Sequence, residues 1–343
     1  MKKHLALILA SLLLAGSFAS CTADSPADNS SEGASDIISK DTVSSVEESS
    51  AAEESSEASV EESSAEPVEI KDSGTWGDLD WTLDVEGGLR ISGNGSMADF
   101  ASSDAKDAWH GYKDDVKTVV IGDGVTSIGI YAFDGFTKLK SVKIGAGVKS
   151  IGGDAFAACY VLESVSIPDG VEVINHRAFS LCMAIKSIVL PDSVKKIGNS
   201  AFYQCDSLES LTIGKGVETI GNNAFAYGKS LGEIKVAEGN KAFVDVDGVL
   251  YTKDKKTLIR YPAAKAGSAV TIPEGVEVLG YGAFHSCVAL KEISIPLSVT
   301  EISSHAFFGC KSIEKVNYSG TASQWAAIKI DNTNEALTSK YKG

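Results

Sequence analysis

The chain has 343 residues, with 31 Lys+Arg against 46 Asp+Glu, a formal net charge of −15 and 43% apolar residues. That is enough for a sizeable core, and the acidic balance argues against a protein built to grip phosphate backbones, which needs clustered cations. No nucleic-acid partner is expected. With 33 Gly and 7 Pro, the profile is turn-rich rather than collagen-like.

At the N-terminus, Lys2 and Lys3 precede an apolar run from Leu5 to Ala15, and small residues then lead to Cys21. The run is too short to span a bilayer and has the anatomy of a signal peptide over residues 1–20. Its end, Phe18-Ala19-Ser20-Cys21, resembles the bacterial lipoprotein box, with Phe18 where Leu is usual. The resemblance implies lipid attachment at Cys21, a membrane partner through that lipid, and an exported protein facing outward. Ordinary cleavage after Ala19, leaving Cys21 as a free thiol, is the alternative.

Residues 21–72 form the next segment. Between Thr22 and Asp72 there are 15 acids against Lys40 and Lys71, a net of −13, and no aromatic residue. Such a stretch cannot bury enough apolar surface to offset backbone ordering, so a disordered tether is expected. Fifty residues of this kind span roughly 40 Å as a flexible coil and at most about 175 Å when stretched. The remaining 271 residues carry only −4, so the overall acidity describes the spacer rather than the folded part.

Self-similarity organises the rest. Ala-Phe recurs at Phe133, Phe156, Phe179, Phe202, Phe225, Phe284 and Phe307, with gaps of 23 except for one of 59, which is a normal repeat plus one enlarged to 36. Val165 aligns with Val142, Ile188, Leu211, Ile234 and Ile293, and Ile174 with Ile128, Ile151, Ile197, Ile220, Leu279 and Ile302. A fixed period of this kind means a solenoid whose coils bury their apolar sides against one another. Leu162, Val165 and Ile167 read as the inward residues of a short strand, and Val171–Ile174 as a second. Arg177–Cys182 reads as one helical turn. The seven Phe form a core ladder, and eight coils about 4.8 Å apart give a stack roughly 40 Å long.

The motif I-G-x-x-A-F-x-x-C-x-x-L-x-x-V-x-I-P closely resembles the BspA-like, or treponemal-type, leucine-rich repeats, over about residues 116–318. The implied fold is mainly β, a leucine-rich-repeat solenoid of 23-residue coils. Trp81-Thr82-Leu83 to Leu89–Gly93 resembles that family's β-hairpin N-terminal cap, placed at 73–115. The enlarged repeat at 231–266 resembles its hairpin insertion, and Tyr318 to Trp325 its C-terminal cap, with cap and tail at 319–343. The resemblance also implies adhesion, because relatives bind host matrix proteins or other bacteria.

Chemistry is sparse. Cys159, Cys182, Cys205, Cys287 and Cys310 share one repeat position, three after the Phe. Parallel side chains in stacked coils make poor disulfide geometry, so buried free thiols are expected. His176, His285 and His305 sit at variable positions and read as solvent-facing, and no zinc spacing occurs. Asp245-Val-Asp247-Gly248 lacks the first acid of a calcium loop, with Phe243 in its place, and the closing Glu, and reads as a hairpin turn. Gly145-Ala-Gly147 and Gly214-Lys-Gly216 are coil corners, not phosphate loops. No metal, cofactor or catalytic constellation is expected, and the chain reads as a non-enzyme.

Outward positions on the first strand are small and polar. Larger groups stand near the Phe: Tyr131, Arg177, Tyr203, Tyr227, Tyr281, His285 and Phe308. These are the candidate ligand surface, because binding anchors are usually aromatic or Arg. The expected partner is an extracellular protein or a glycan. A structural envelope component without a specific ligand is the remaining alternative.

Overall fold

The computed structural model describes residues 68–342. The expected signal peptide over 1–20, the expected lipid-attachment residue Cys21 and nearly all of the expected tether at 21–72 lie outside them. Three antiparallel strands come first: β1 (Ile70–Trp76), β2 (Leu79–Asp84) and β3 (Gly88–Gly93). The spacer's last residues, Ile70–Asp72, thus belong to β1, where Lys71 pairs with Asp115 at 2.6 Å and Asp72 accepts from the Tyr112 hydroxyl.

From β3 onward the chain coils. β3 pairs in parallel with Thr118–Ile121, which pairs with Ser141–Lys143 and that with Ser164–Ser166. A second parallel ladder runs from Gly95–Ser96 through Val125–Ile128, Ser150–Ile151, Val173–Ile174 and Lys196–Ile197 to Thr219–Ile220. The cap therefore supplies a coil of its own, ahead of the first Phe repeat. Its buried Trp109 takes the place of the Phe and stacks on Phe133 at 6.0 Å.

Inside, the rings of Phe133, Phe156, Phe179, Phe202 and Phe225 stack at 5.0 to 5.7 Å, nearly parallel. Each pair adds attraction beyond the area that burial removes from water. The Cys column lies beside it. The Cys159, Cys182 and Cys205 thiols are free and buried, and each donates to a Phe carbonyl of the preceding coil, at 3.2, 3.2 and 3.4 Å. The repeat thus favours Cys as a small apolar filler with one weak donor.

The expected helical turn is corrected. Arg177–Cys182 and its equivalents form no helix. The residues two before and two after each Phe instead adopt left-handed backbone, as in Arg177 at φ 53° and Leu181 at φ 64°. This alternation aims every second N–H up the stack: Arg177, Phe179 and Leu181 donate to the carbonyls of Asn199, Ala201 and Tyr203 at 3.0, 2.8 and 2.7 Å. A helical turn would direct those donors back into its own coil. The inter-coil bonds offset the cost of left-handed non-glycine residues.

The enlarged repeat interrupts the stack. Phe243–Val246, Val249–Thr252 and Thr257–Arg260 form an antiparallel unit, and the last strand joins a new parallel ladder through Val278–Leu279, Glu301–Ile302 and Lys329–Ile330. Asp247-Gly248 is its two-residue turn, both residues at positive φ. Tyr261 supplies this coil's ring, stacked on Phe284 at 5.1 Å, and Phe284 stacks on Phe307 at 4.9 Å. Two buried clusters result, one running from Leu79 to Leu250 and the other from Val249 to Leu337.

The upper end is closed by side chains. The Phe307 N–H, which in a complete coil meets the next coil's carbonyl, donates to Asn334 Oδ1 at 3.0 Å. The His305 N–H donates to Thr333 Oγ1 at 2.6 Å, and Asn334 Nδ2 donates to the Ser303 carbonyl. A short capped helix, Ala322–Ala327, precedes this closure. No helix among the described residues is long and apolar enough to cross a membrane.

Candidate functional site

In the arc around each Phe the Ala-Phe pair is buried, while flanking positions such as Arg177 and Phe308 reach the surface. Two groups of large side chains stand on it. The first holds two of the seven candidates. Arg177 is exposed and its Nε lies 2.9 Å from Oδ1 of the buried Asp154, while His176 Nε2 lies 3.4 Å from Oδ2. Tyr131, half-buried at φ 58°, is one coil below Asp154. Burial, then the neighbouring Asp154 charge, pushes the Asp134 carboxyl up to about 6. Burial also raises Asp154, against Arg177 and His176. Arg177 is therefore committed to covering a buried acid.

The other five candidates meet in space. Tyr203 and Tyr227 pack with centroids 4.7 Å apart, and Tyr227 contacts His285 at 3.8 Å across the interruption. Phe308 lies 5.2 Å from His285 and 6.3 Å from Tyr227. His305 links Phe308 to Tyr281, at 5.5 Å from each. The patch thus joins the last coils below the insertion to the first coils above it. Phe308 is 43% exposed, a large apolar ring left in water at its rim.

The histidines correct the expectation of solvent-facing decoration. His176 is exposed, but His305 is half-buried and His285 is 1% exposed. His285 lies beneath Tyr227 and Phe308, whose rings pack on it at 3.8 and 5.2 Å across the insertion. Burial, then the charge of Arg260, takes its imidazole down to about 3, so it is neutral at pH 7. It supports the patch from below rather than offering a contact. His305, which sequence reasoning left outside the candidate set, belongs to the patch. Its position two before Phe307 was the available signal.

Among the described residues no group of three His, Cys, Asp or Glu side chains could hold a metal ion. The Gly147 and Gly216 positions confirm the coil-corner reading, since a Cβ at either would collide with the Asp123 or Asp192 carbonyl of the coil below.

Residues 106–241 and 264–328 match a family model described as the BspA type leucine-rich repeat region, in six copies. Among solved structures, a leucine-rich repeat protein from Eubacterium ventriosum is 30% identical, with 72% of each chain covered and a TM-score of 0.63. A leucine-rich repeat protein from Bacteroides ovatus and the pneumococcal vaccine antigen PcpA share the fold at 22% identity. For each the TM-score is 0.50, with 73% of this chain and 70% of the other covered. No curated protein matches the sequence.

Proposed function

Because the chain belongs to the BspA-type leucine-rich repeat family of bacterial surface proteins, we propose that its solenoid is a binding module for an extracellular partner. The contact face in this reading is the aromatic patch around Tyr227 and Phe308. The observation that carries it is the convergence of Tyr203, Tyr227, Tyr281, His305 and Phe308 over the buried His285. Aromatic rings on a rigid scaffold give large contact area at low entropic cost, the usual chemistry of interface anchors. Repeat arrays bind through such extended surfaces, and fold alone does not fix the ligand.

In the full proposal the chain is a lipoprotein, anchored through Cys21 and held away from the membrane by its acidic spacer. A single acyl chain anchors weakly, and the two or more at a lipoprotein Cys suffice for stable attachment. Replacing Cys21 with Ala should release the protein into the medium, and retention on cells would exclude the anchor. Adhesion to a protein surface is the reading the patch supports, and parallel screens of matrix proteins and glycan arrays test it. Binding confined to glycans would replace it with a lectin-like role. Empty screens with altered cell shape on deletion would favour a structural envelope role.

A further inference from the structure

The interruption leaves donors without acceptors. In every complete coil, the N–H groups two before, at, and two after the Phe donate to the next coil, as Ser200, Phe202 and Gln204 do to Asn222, Ala224 and Ala226 at 2.9, 2.8 and 2.8 Å. The next row is Asn223, Phe225 and Tyr227, and none of these three N–H groups has an acceptor among the described residues. At the top of the stack, the same row ends on oxygens supplied by Thr333 and Asn334. No side chain of the insertion performs that task for Phe225.

Facing this row is Arg260, 3% exposed. Its Nη1 donates to the Gly282 and His285 carbonyls at 3.0 and 3.1 Å, while Nε and Nη2 are buried with no partner. Among the described residues no carboxylate pairs with it. Of the titratable groups around it, burial raises the Cys287 thiol, a side-chain contact with Cys287 lowers the Cys310 thiol, and burial keeps the His285 imidazole neutral at pH 7. A buried guanidinium without a counter-charge is costly, and so is each unmet backbone donor. Between the two lies a cavity of about 30 Å³, lined by Asn223, Ala224, Phe225, Ala226, Arg260 and Tyr281. That exceeds the roughly 10–15 Å³ a single water requires. The Asn223 amide oxygen also lines it with no donor, and an amide flip would turn Nδ2 there instead.

We propose that this junction cavity is a binding site for a small carboxylate, held by the Arg260 guanidinium and the Asn223 and Phe225 backbone N–H groups. Its two oxygens complete the hydrogen-bond ladder as Thr333 and Asn334 do above, and its charge neutralises Arg260. Guanidinium–carboxylate pairs are among the strongest charge-assisted hydrogen bonds. The site stands whether or not the aromatic patch is a ligand face.

The test uses the whole ¹⁵N-labelled chain titrated with sodium formate. The amides of Asn223 and Phe225 should shift saturably, while Phe202, bonded to the Ala224 carbonyl, stays in place as an internal reference. Arg260→Gln should weaken formate binding roughly tenfold or more, with Arg260→Lys intermediate. A parallel titration with N-acetyl-aspartate methylamide separates two sources. A response to formate alone assigns the site to a free ion, and a response to both assigns it to an acidic group on a ligand. Absence of a saturable shift in the unmodified chain, or equal affinity in Arg260→Gln, would overturn the proposal. If Arg260→Gln does not fold, the unmodified titration decides alone.

Discussion

Replacing Phe179 with Ala is the sharpest stability test of the ring stack. Phe179 is fully buried, with the Phe156 ring 5.2 Å away at 4° and the Phe202 ring 5.4 Å away at 5°. Truncation removes the ring's transfer energy and leaves a cavity that the rigid coils above and below cannot close. The expected cost is about 3–5 kcal/mol. Phe225 is the informative comparison, because it stacks on Phe202 alone, at 5.7 Å, and faces the interruption. Losing one ring pair instead of two should make Phe225→Ala cheaper by about 0.5–1.5 kcal/mol. Urea unfolding gives both values, and hydrogen exchange locates them. Because the two buried clusters are separate, protection should fall across residues 133–225 more than across 284–337. A cost below about 1 kcal/mol for Phe179→Ala would refute the stacked core, as would equal costs at both positions.

Asn334→Ala should cost about 1–3 kcal/mol, because it strands the buried Phe307 N–H and the Ser303 carbonyl; exchange of the amides around 303–307 measures it. For Asp134 the sign follows from its raised carboxyl: the folded value of about 6 exceeds an unfolded value near 3.9. Stability from this group is complete below the unfolded value and is lost as pH rises through about 6. Asp134→Asn should therefore raise the melting temperature at pH 7.5 and leave it unchanged at pH 3.5; thermal scans at both pH values decide. Burial pushes the Cys205 thiol up to about 12 and the Cys159 and Cys182 thiols up as well. These three should resist iodoacetamide at pH 8 in the folded chain and react on unfolding, as mass spectrometry will report.

The repeat made most of the fold legible before any coordinates. A 23-residue period with Phe, Cys and paired β-branched positions in register admits little besides a stacked coil, so the ladder at Phe133 to Phe307 needed only the sequence. Other features lay outside that signal. Left-handed backbone at Arg177, Leu181 and Gln204 has no mark in residue type, because inter-coil hydrogen bonds rather than local propensity impose it. Trp109 and Tyr261 complete the ring stack, yet neither follows Ala at the expected spacing. The patch was legible as residues but not as a cluster. Tyr203 and Phe308 stand in different coils over a hundred positions apart, and Tyr227, packed on both, joins them across the insertion. The burial of His285 accompanies that same packing, which one-dimensional register does not contain.

The central claim is that this surface binds through its aromatic face, and paired variants test it most directly. The unmodified chain, a Tyr227→Ser/Phe308→Ser variant and an Arg177→Ser variant should be compared on the same panel of matrix proteins, glycans and cell surfaces. Buried aromatic anchors typically contribute about 2 kcal/mol or more each. The double variant should therefore lose about 4 kcal/mol, roughly several hundredfold in affinity for whatever the unmodified chain binds, with its melting transition retained. Arg177→Ser should bind as the unmodified chain does. Undiminished binding by the folded double variant, or loss only in Arg177→Ser, would contradict the account.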